Sequence, residues 1–214
     1  MFDIETLECL HVKPLPPITC VCMYDVQLKK EYKFRMWKIS EKEYVKNRNQ
    51  ILDLLDNADI IIGYNSVLFD LEFIKCTFAE QVTSDRMTSW VVKTVDMFMC
   101  LKYIFKSTCK LNDLLLLNGL ESKTGTGSDA IQLAKNDEWD KLIDYCMSDT
   151  LLTWNLFSRD MKPTIYISKT FQVSWDINDL DKNGKFLKIL PRADHVRSPK
   201  KVEWKTWSGV LPED

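Results

Sequence analysis

The chain is poor in the ligands that build nitrogen- and sulfur-bound metal centres. It has two histidines, His11 and His195, and no C-x-x-C pair among its seven cysteines at 9, 20, 22, 76, 100, 109 and 146. A zinc site of the usual kind is therefore not expected. The odd cysteine count and irregular spacing favour reduced, structural thiols, and Cys20-Val21-Cys22 reads as a pair of buried thiols on a strand. No apolar run approaches the roughly 20 residues that a membrane-spanning helix needs. Met1-Phe2-Asp3-Ile4-Glu5 carries acid where a secretory leader carries base, so a cytoplasmic protein, or one of a nucleus or virus factory, is expected rather than a secreted one. Internal repeats and low-complexity stretches are missing too, which sets solenoids and disordered linkers aside.

What is present describes a globular protein. The 214 residues are 45% hydrophobic and 28% charged, enough for one full core with an appendage. The net charge of −2 hides an asymmetry: residues 162–214 carry +3 and the rest −5, while 182–205 alone carry +6. An acidic body with a basic tail suits a protein that gathers cations in its centre and a polyanion at its rim.

Hydrophobic periodicity predicts strands at Met1–Thr6, Ile18–Val26 and Glu31–Ile39, with Pro14, Pro16 and Pro17 in the first connection and a turn near Gln27–Lys30. Ser40 and Glu43 form a capping-box signature for a helix over Glu41–Asn57. Ala58–Asn65 reads as a short buried strand, and a helix should start near Asp70. An apolar segment covers Thr94–Phe105, a short helix Lys110–Leu117 ends at Asn118-Gly119, and Gly125 and Gly127 punctuate a loop. The longest helix is expected from Glu138 to Met161, ended by Pro163; Tyr166–Ile177 reads as strand and Asn183-Gly184 as a hairpin turn. The order β-β-β-α-β-α followed by helices predicts an α/β fold, a mixed central sheet flanked by helices, with a small β-rich C-terminal extension. The expected division is 1–162 and 163–214.

Three short clusters carry the chemistry. Asp3 and Glu5 are two apart on a strand and leave the same face. Asp70 ends the run Asn65-Ser66-Val67-Leu68-Phe69-Asp70 between a strand and a helix, where α/β proteins place ligands. Tyr145 and Asp149 are four apart on a helix and share one stripe. Converging carboxylates do not stay ionised without cations, and hard oxygen ligands suit Mg²⁺ or Mn²⁺. Two such ions serve phosphodiester cleavage by activating water and stabilising the leaving oxygen. The reference pKa of tyrosine, about 10, leaves Tyr145 protonated, so it holds the water rather than acting as base.

Each cluster also has a plainer explanation. Asp3 and Glu5 can be a solvated strand start, Asn65 and Asp70 can cap a helix, and Tyr145 can be a core aromatic. Asp96 is expected to start a helix rather than to enter the cleft. Asp3 stands near the start of the chain, so its strand is expected to be short there and the ligand loosely anchored.

In this order, the clusters resemble the DEDD superfamily of 3′→5′ exonucleases, which share the ribonuclease H-like fold. D-x-E matches Asp3 and Glu5; N-x-x-x-F-D, as in the proofreading domains of family B DNA polymerases, matches Asn65, Phe69 and Asp70; Y-x-x-x-D, of the tyrosine branch, matches Tyr145 and Asp149. The resemblance covers about residues 1–160. It implies that Asp3 bridges two metals, that Glu5 and Asp149 serve the water-activating one, that Asp70 serves the other, and that Tyr145 contacts the nucleophile. Val95-Asp96-Met97 and Lys123-Thr124-Gly125 are familiar but less specific. Thr6, Leu7, Asn65, Phe69 and Lys123 are the expected substrate contacts, with Leu7 wedged against the last nucleotide. The expectation is a Mg²⁺-dependent exonuclease on single-stranded DNA, with an RNase D-like exoribonuclease, or a non-catalytic binding or docking module, as alternatives. With no polymerase domain in these residues, it is expected to be free-standing or to meet a protein partner through its C-terminal extension.

Two features of the tail complete the expectations. Asp179-Leu180-Asp181-Lys182-Asn183-Gly184 imitates half of a calcium loop, but Leu190 stands where the closing Glu belongs, so a solvated hairpin is expected. Lys200-Lys201-Val202-Glu203-Trp204-Lys205-Thr206-Trp207 interleaves base and indole as single-strand binders do, although a terminal strand packed on the core is favoured.

Overall fold

The computed structural model describes residues 1–8, 12–99, 102 and 110–158, together with four strands at 164–166, 171–174, 186–191 and 204–206. β1 (Phe2–Thr6), β2 (Ile18–Asp25) and β3 (Lys30–Arg35) form an antiparallel sheet in the order β1-β2-β3. β4 (Ile61–Gly63) and β5 (Thr94–Asp96) pair in parallel, with β4 lying beside β1. Among the described residues, the helices with both ends described are α1 (Glu41–Asn57), α2 (Asp70–Thr77), α3 (Ser84–Val92), α4 (Leu111–Leu117), α5 (Gly127–Lys135) and α6 (Trp139–Phe157). β6 (Thr164–Tyr166), β7 (Phe171–Ser174), β8 (Phe186–Pro191) and β9 (Trp204–Thr206) make a separate antiparallel meander. The α/β class expected from the periodicity is the class observed.

β1 shows why the strands read as they do. Phe2, Ile4 and Thr6 are buried, while Asp3 and Glu5 point the other way and are half-buried. Phe2 and Ile4 pack against Ile51, Leu52 and Leu55 of α1 and Leu71 and Phe73 of α2. On the opposite face Cys20 and Cys22 of β2 pack against Ala130 and Ala134 of α5 and Leu142, Tyr145 and Cys146 of α6. Helices thus cover both faces of the sheet, so Ile18 to Met23 of β2 are all buried and the run is continuously apolar rather than alternating.

The predicted α1 is observed at its predicted limits, and the Ser40 hydroxyl accepts from Glu43 N, a cap worth about 1 kcal/mol. Several boundaries differ. β3 ends at Arg35 rather than Ile39, where Met36 N goes to Thr19 O and Lys38 takes a left-handed φ of 52°. β4 is only Ile61–Gly63, because the chain turns at Asn65, which has a φ of 63°. α6 stops at Phe157 rather than Met161, with Ser158 N donating to Trp154 O as the cap. The strand expected at Tyr166–Ile177 is two strands, β6 and β7. Two helices were missing from the sequence expectation. α3 is N-capped by Thr83, which accepts from Arg86 N. α5 grows out of the supposed loop at Gly127, because Thr126 and Asp129 form a capping box around it. The Asp179–Gly184 loop and the Asn183-Gly184 turn lie outside the described residues. Of the basic, tryptophan-containing segment, Trp204–Thr206 forms β9, paired with β8.

Candidate metal and nucleotide site

β1 places Asp3 and Glu5 against α6, the helix that carries Tyr145, Cys146 and Asp149 on one buried stripe. The strand is held from its first residue: Met1 and Tyr24 exchange both backbone hydrogen bonds, at 3.1 and 2.9 Å, which corrects the expected loose anchoring. By antiparallel alternation, Asp3 and Glu5 then also exchange bonds with β2, and the Ile4 N–H points away from it. That outward N–H donates to Asp70 Oδ1 at 3.2 Å. Asp70, from the start of α2, therefore sits directly on the strand that bears Asp3.

The loop leading to Asp70 is shaped by Asp96 at the end of β5. Asp96 Oδ1 accepts from Asn65 N at 2.8 Å and Met99 N at 3.2 Å, and Oδ2 accepts from Val67 N at 2.9 Å. The bond to Met99 is the expected helix-start cap; the bonds to Asn65 and Val67 were not legible in the sequence. They hold the turn at Asn65, whose carbonyl accepts from Phe69 N just before α2 begins. Gly63 permits the same turn, since a Cβ there would stand 1.6 Å from Ser66 Oγ and 2.8 Å from Ser66 Cβ.

Asp149 is the other buried acid, 3% exposed. Lys123 Nζ lies 2.5 Å from its Oδ2 as an ion pair, and the Tyr145 hydroxyl is buried beside the same carboxylate. Lys123 also stands 5.5 Å from the centre of the Tyr145 ring.

The electrostatics show how closely the acids are gathered. Burial, then the charges of Asp70, Glu5 and Asp149, hold the Asp3 carboxyl well above the usual range, against the pull of Lys123. Burial and Asp149 push Glu5 up to about 8. Burial and Asp96 push Asp70 up to about 7, although the Ile4 N–H favours its charged form. Burial also raises Asp149, against Lys123. Burial, reinforced by Asp149 and Glu5, raises Tyr145 above the ordinary tyrosine range, so its hydroxyl keeps its proton. Lys123 itself is raised: burial opposes its charge, but Asp149, Asp3 and Glu5 outweigh that. One ammonium facing four carboxylates leaves a deficit of positive charge that protons fill at neutral pH.

This donor set fits divalent cations. It offers carboxylate oxygens from three separate elements, β1, α2 and α6, with a single lysine against them. Asp3 and Glu5 share one face of β1 as their spacing predicts, Tyr145 and Asp149 share the buried stripe of α6, and Asp70 meets β1 at the Ile4 N–H. The rim is more varied. Leu7 is half-buried against the Tyr145 and Cys146 cluster. The Phe69 ring packs on Phe73, 5.0 Å between centres. Asn65 contributes backbone groups to the turn, and the Thr6 hydroxyl donates to Glu8 O at 2.8 Å. Lys123 was expected at the substrate and is found paired with Asp149. Cys146 was set aside as a structural thiol, yet ligand atoms of Asp3, Glu5 and Cys146 all lie within 4.8 Å of one another. A cavity lined by Phe2, Met23, Tyr24, Leu54, Ile61 and Trp154 includes none of the four acids.

A family model described as RNase_H superfamily matches residues 1–159. No curated protein matches the chain. Among the described residues, no helix is long and apolar enough to cross a membrane.

Proposed function

Because the chain belongs to the RNase H superfamily, we propose that it is a metal-dependent 3′→5′ exonuclease that releases nucleoside 5′-monophosphates from single-stranded DNA. Members of that superfamily are generally nucleases, and typically use divalent metals. The observation that carries the finer reading is Asp149: a buried carboxylate that shares one lysine, Lys123, with Asp3 and Glu5 of another element and adds its charge to theirs. A retired site has no reason to keep mutually repelling acids in contact.

Asp3, Glu5, Asp70 and Asp149 would hold two Mg²⁺ ions, with Mn²⁺ as a substitute. Bound there, they would supply a water of lowered pKa and countercharge for the departing 3′ oxygen. Tyr145, protonated throughout the working range, donates a hydrogen bond that orients the attacking water. Lys123 offsets part of the carboxylate charge and stands ready for a phosphate oxygen. Asp96 and Gly63 hold the turn that delivers Asp70. Leu7 and Phe69 supply apolar surface for the terminal base, and Thr6 and Asn65 flank it. The preference for DNA rests on the Asn65-x-x-x-Phe69-Asp70 motif. The family match ending at 159 and the separate β6–β9 meander support a nuclease unit of 1–162 with a basic appendage of 163–214 that meets nucleic acid or a protein partner. The free thiols of Cys20, Cys22 and Cys146 are in keeping with a reducing compartment, the cytoplasm, nucleus or virus factory.

The test uses 3′-labelled and 5′-labelled single strands of DNA and RNA with Mg²⁺, Mn²⁺ or EDTA. Immediate mononucleotide release from the 3′-labelled DNA, abolished by EDTA, is the expected result. Faster release from RNA would make the protein an exoribonuclease. Binding without cleavage under every metal would make it a docking module.

A further inference from the structure

We propose that Cys146 makes the Asp3–Glu5 pair a binding site for thiophilic divalent cations such as Zn²⁺ or Cd²⁺, which exclude the hard cation from the same carboxylates. The exclusion rests on the exonuclease reading; the binding does not.

The site is built by register and helix phase together. On the β1–β2 ladder Asp3 is opposite Cys22 and Glu5 is opposite Cys20. From across the layer, the fully buried Cys146 thiol lies 3.5 Å from Asp3 O and 3.8 Å from Asp3 Oδ2. One sulfur and two carboxylate oxygens within 4.8 Å of one another approach the spacing of a tetrahedral shell, whose edges are roughly 3.5 Å for zinc–oxygen and zinc–sulfur bonds of ordinary length. Asp149 follows three residues after Cys146 on the same buried stripe but is held by Lys123, 2.5 Å from its Oδ2, so the fourth position is left to water.

The sulfur is what discriminates. Mg²⁺ takes oxygen in octahedral geometry and gains nothing from a thiol, whereas Zn²⁺ and Cd²⁺ bind thiolate strongly and accept four ligands. As the sulfur–metal bond forms, the Cys146 proton leaves to solvent. The carboxylates are then committed to one tetrahedral ion and cannot shape the hard-metal site.

Titration of the metal-free full-length protein with Cd²⁺, followed by the sulfur-to-metal charge-transfer absorption, tests the site without any assay of activity. The wild type is expected to develop a band that saturates at one equivalent. That band is lost in Cys146→Ser and kept in Cys76→Ser, an exposed thiol on α2 that contacts Glu72. Asp3→Asn should weaken Cd²⁺ binding by roughly 100-fold, since it removes a ligand of the same ion. An unchanged band in Cys146→Ser, or unchanged affinity in Asp3→Asn, overturns the proposal; the second variant decides the matter if the first does not fold. In the nuclease assay, Zn²⁺ added against Mg²⁺ should inhibit the wild type at about tenfold or more lower concentration than Cys146→Ser. A Cys146-dependent band in a protein that cuts nothing would sink the exonuclease reading and leave this site standing. An active nuclease without the band would do the reverse.

Discussion

Asp96 and Asp149 are both buried aspartates, 0% and 3% exposed, yet they live in opposite surroundings. Asp96 accepts three backbone N–H bonds, from Asn65, Val67 and Met99. Asp149 receives no backbone N–H; it sits beside the Tyr145 hydroxyl, pairs with Lys123 at 2.5 Å, and adds its charge to Asp3 and Glu5. A buried carboxylate whose lone pairs are filled by the main chain is scaffolding; one that shares a single lysine with other acids is held in readiness for a further cation. Burial alone therefore does not identify a functional acid, but the identity of its partners does.

The sharpest way to break this contrast is to remove each charge in turn. Asp149→Asn is expected to lower nuclease activity by about 10³-fold or more, the equivalent of several kcal/mol of lost charge stabilisation. The same change removes the Lys123 ion pair as well as a like charge, and since Asp3 and Glu5 still face Lys123 it should alter the stability of the metal-free protein by less than about 1 kcal/mol. Single-turnover cleavage and urea melts with EDTA measure the two effects. Asp96→Ala should do the opposite in kind. It leaves three backbone donors without their acceptor and costs about 3 kcal/mol of stability, read in the same melts. If Asp149→Asn destabilised the protein as much as Asp96→Ala, the distinction would collapse.

Tyr145→Phe removes only the hydroxyl and keeps the ring that packs with Cys146. Turnover should fall by about 100-fold while Mg²⁺ affinity stays unchanged; equal rates would remove Tyr145 from the mechanism. A smaller effect comes from pH. Glu5 near 8 and Asp70 near 7 stand above their ordinary values of 4.5 and 3.8, so between those limits the folded protein binds more protons than the unfolded chain. In EDTA its melting temperature should therefore fall as pH rises from about 5 to 8. Added Mg²⁺ should reduce that fall by replacing the lost protons, and should bind more tightly as pH rises. The lowered Met1 amino group and Cys22 thiol act in the opposite sense, so the acids' share is read as the difference from Glu5→Gln, and an identical pH profile in that variant would contradict the crowding of the acids.

Much of the site was legible because its geometry is local. A two-residue step on a strand aims Asp3 and Glu5 together, and a four-residue step on a helix aims Tyr145 and Asp149 together, whatever the rest of the chain does. The fold class followed from the same periodicities. α5 was legible in principle, since Thr126 and Asp129 spell a capping box, but Gly125 and Gly127 drew attention as loop residues. The double duty of Asp96 was not legible: its bond to Met99 is local, whereas those to Asn65 and Val67 span about thirty residues. The pairing of Lys123 with Asp149 and the approach of Cys146 to Asp3 were equally hidden, because neither leaves a short-range pattern.

By itself, the sequence determined which residues share a face, where helices can start and which acids are candidates for hard cations, because backbone geometry repeats every two or 3.6 residues. Only the tertiary structure decided that Asp70 reaches the outward N–H of Ile4, that Asp96 is held by the main chain while Asp149 meets Lys123, and that a thiol joins the acids. Those outcomes depend on desolvation and on distances between elements far apart in the chain. Charges and hydrogen bonds act through such distances, and local periodicity does not encode them.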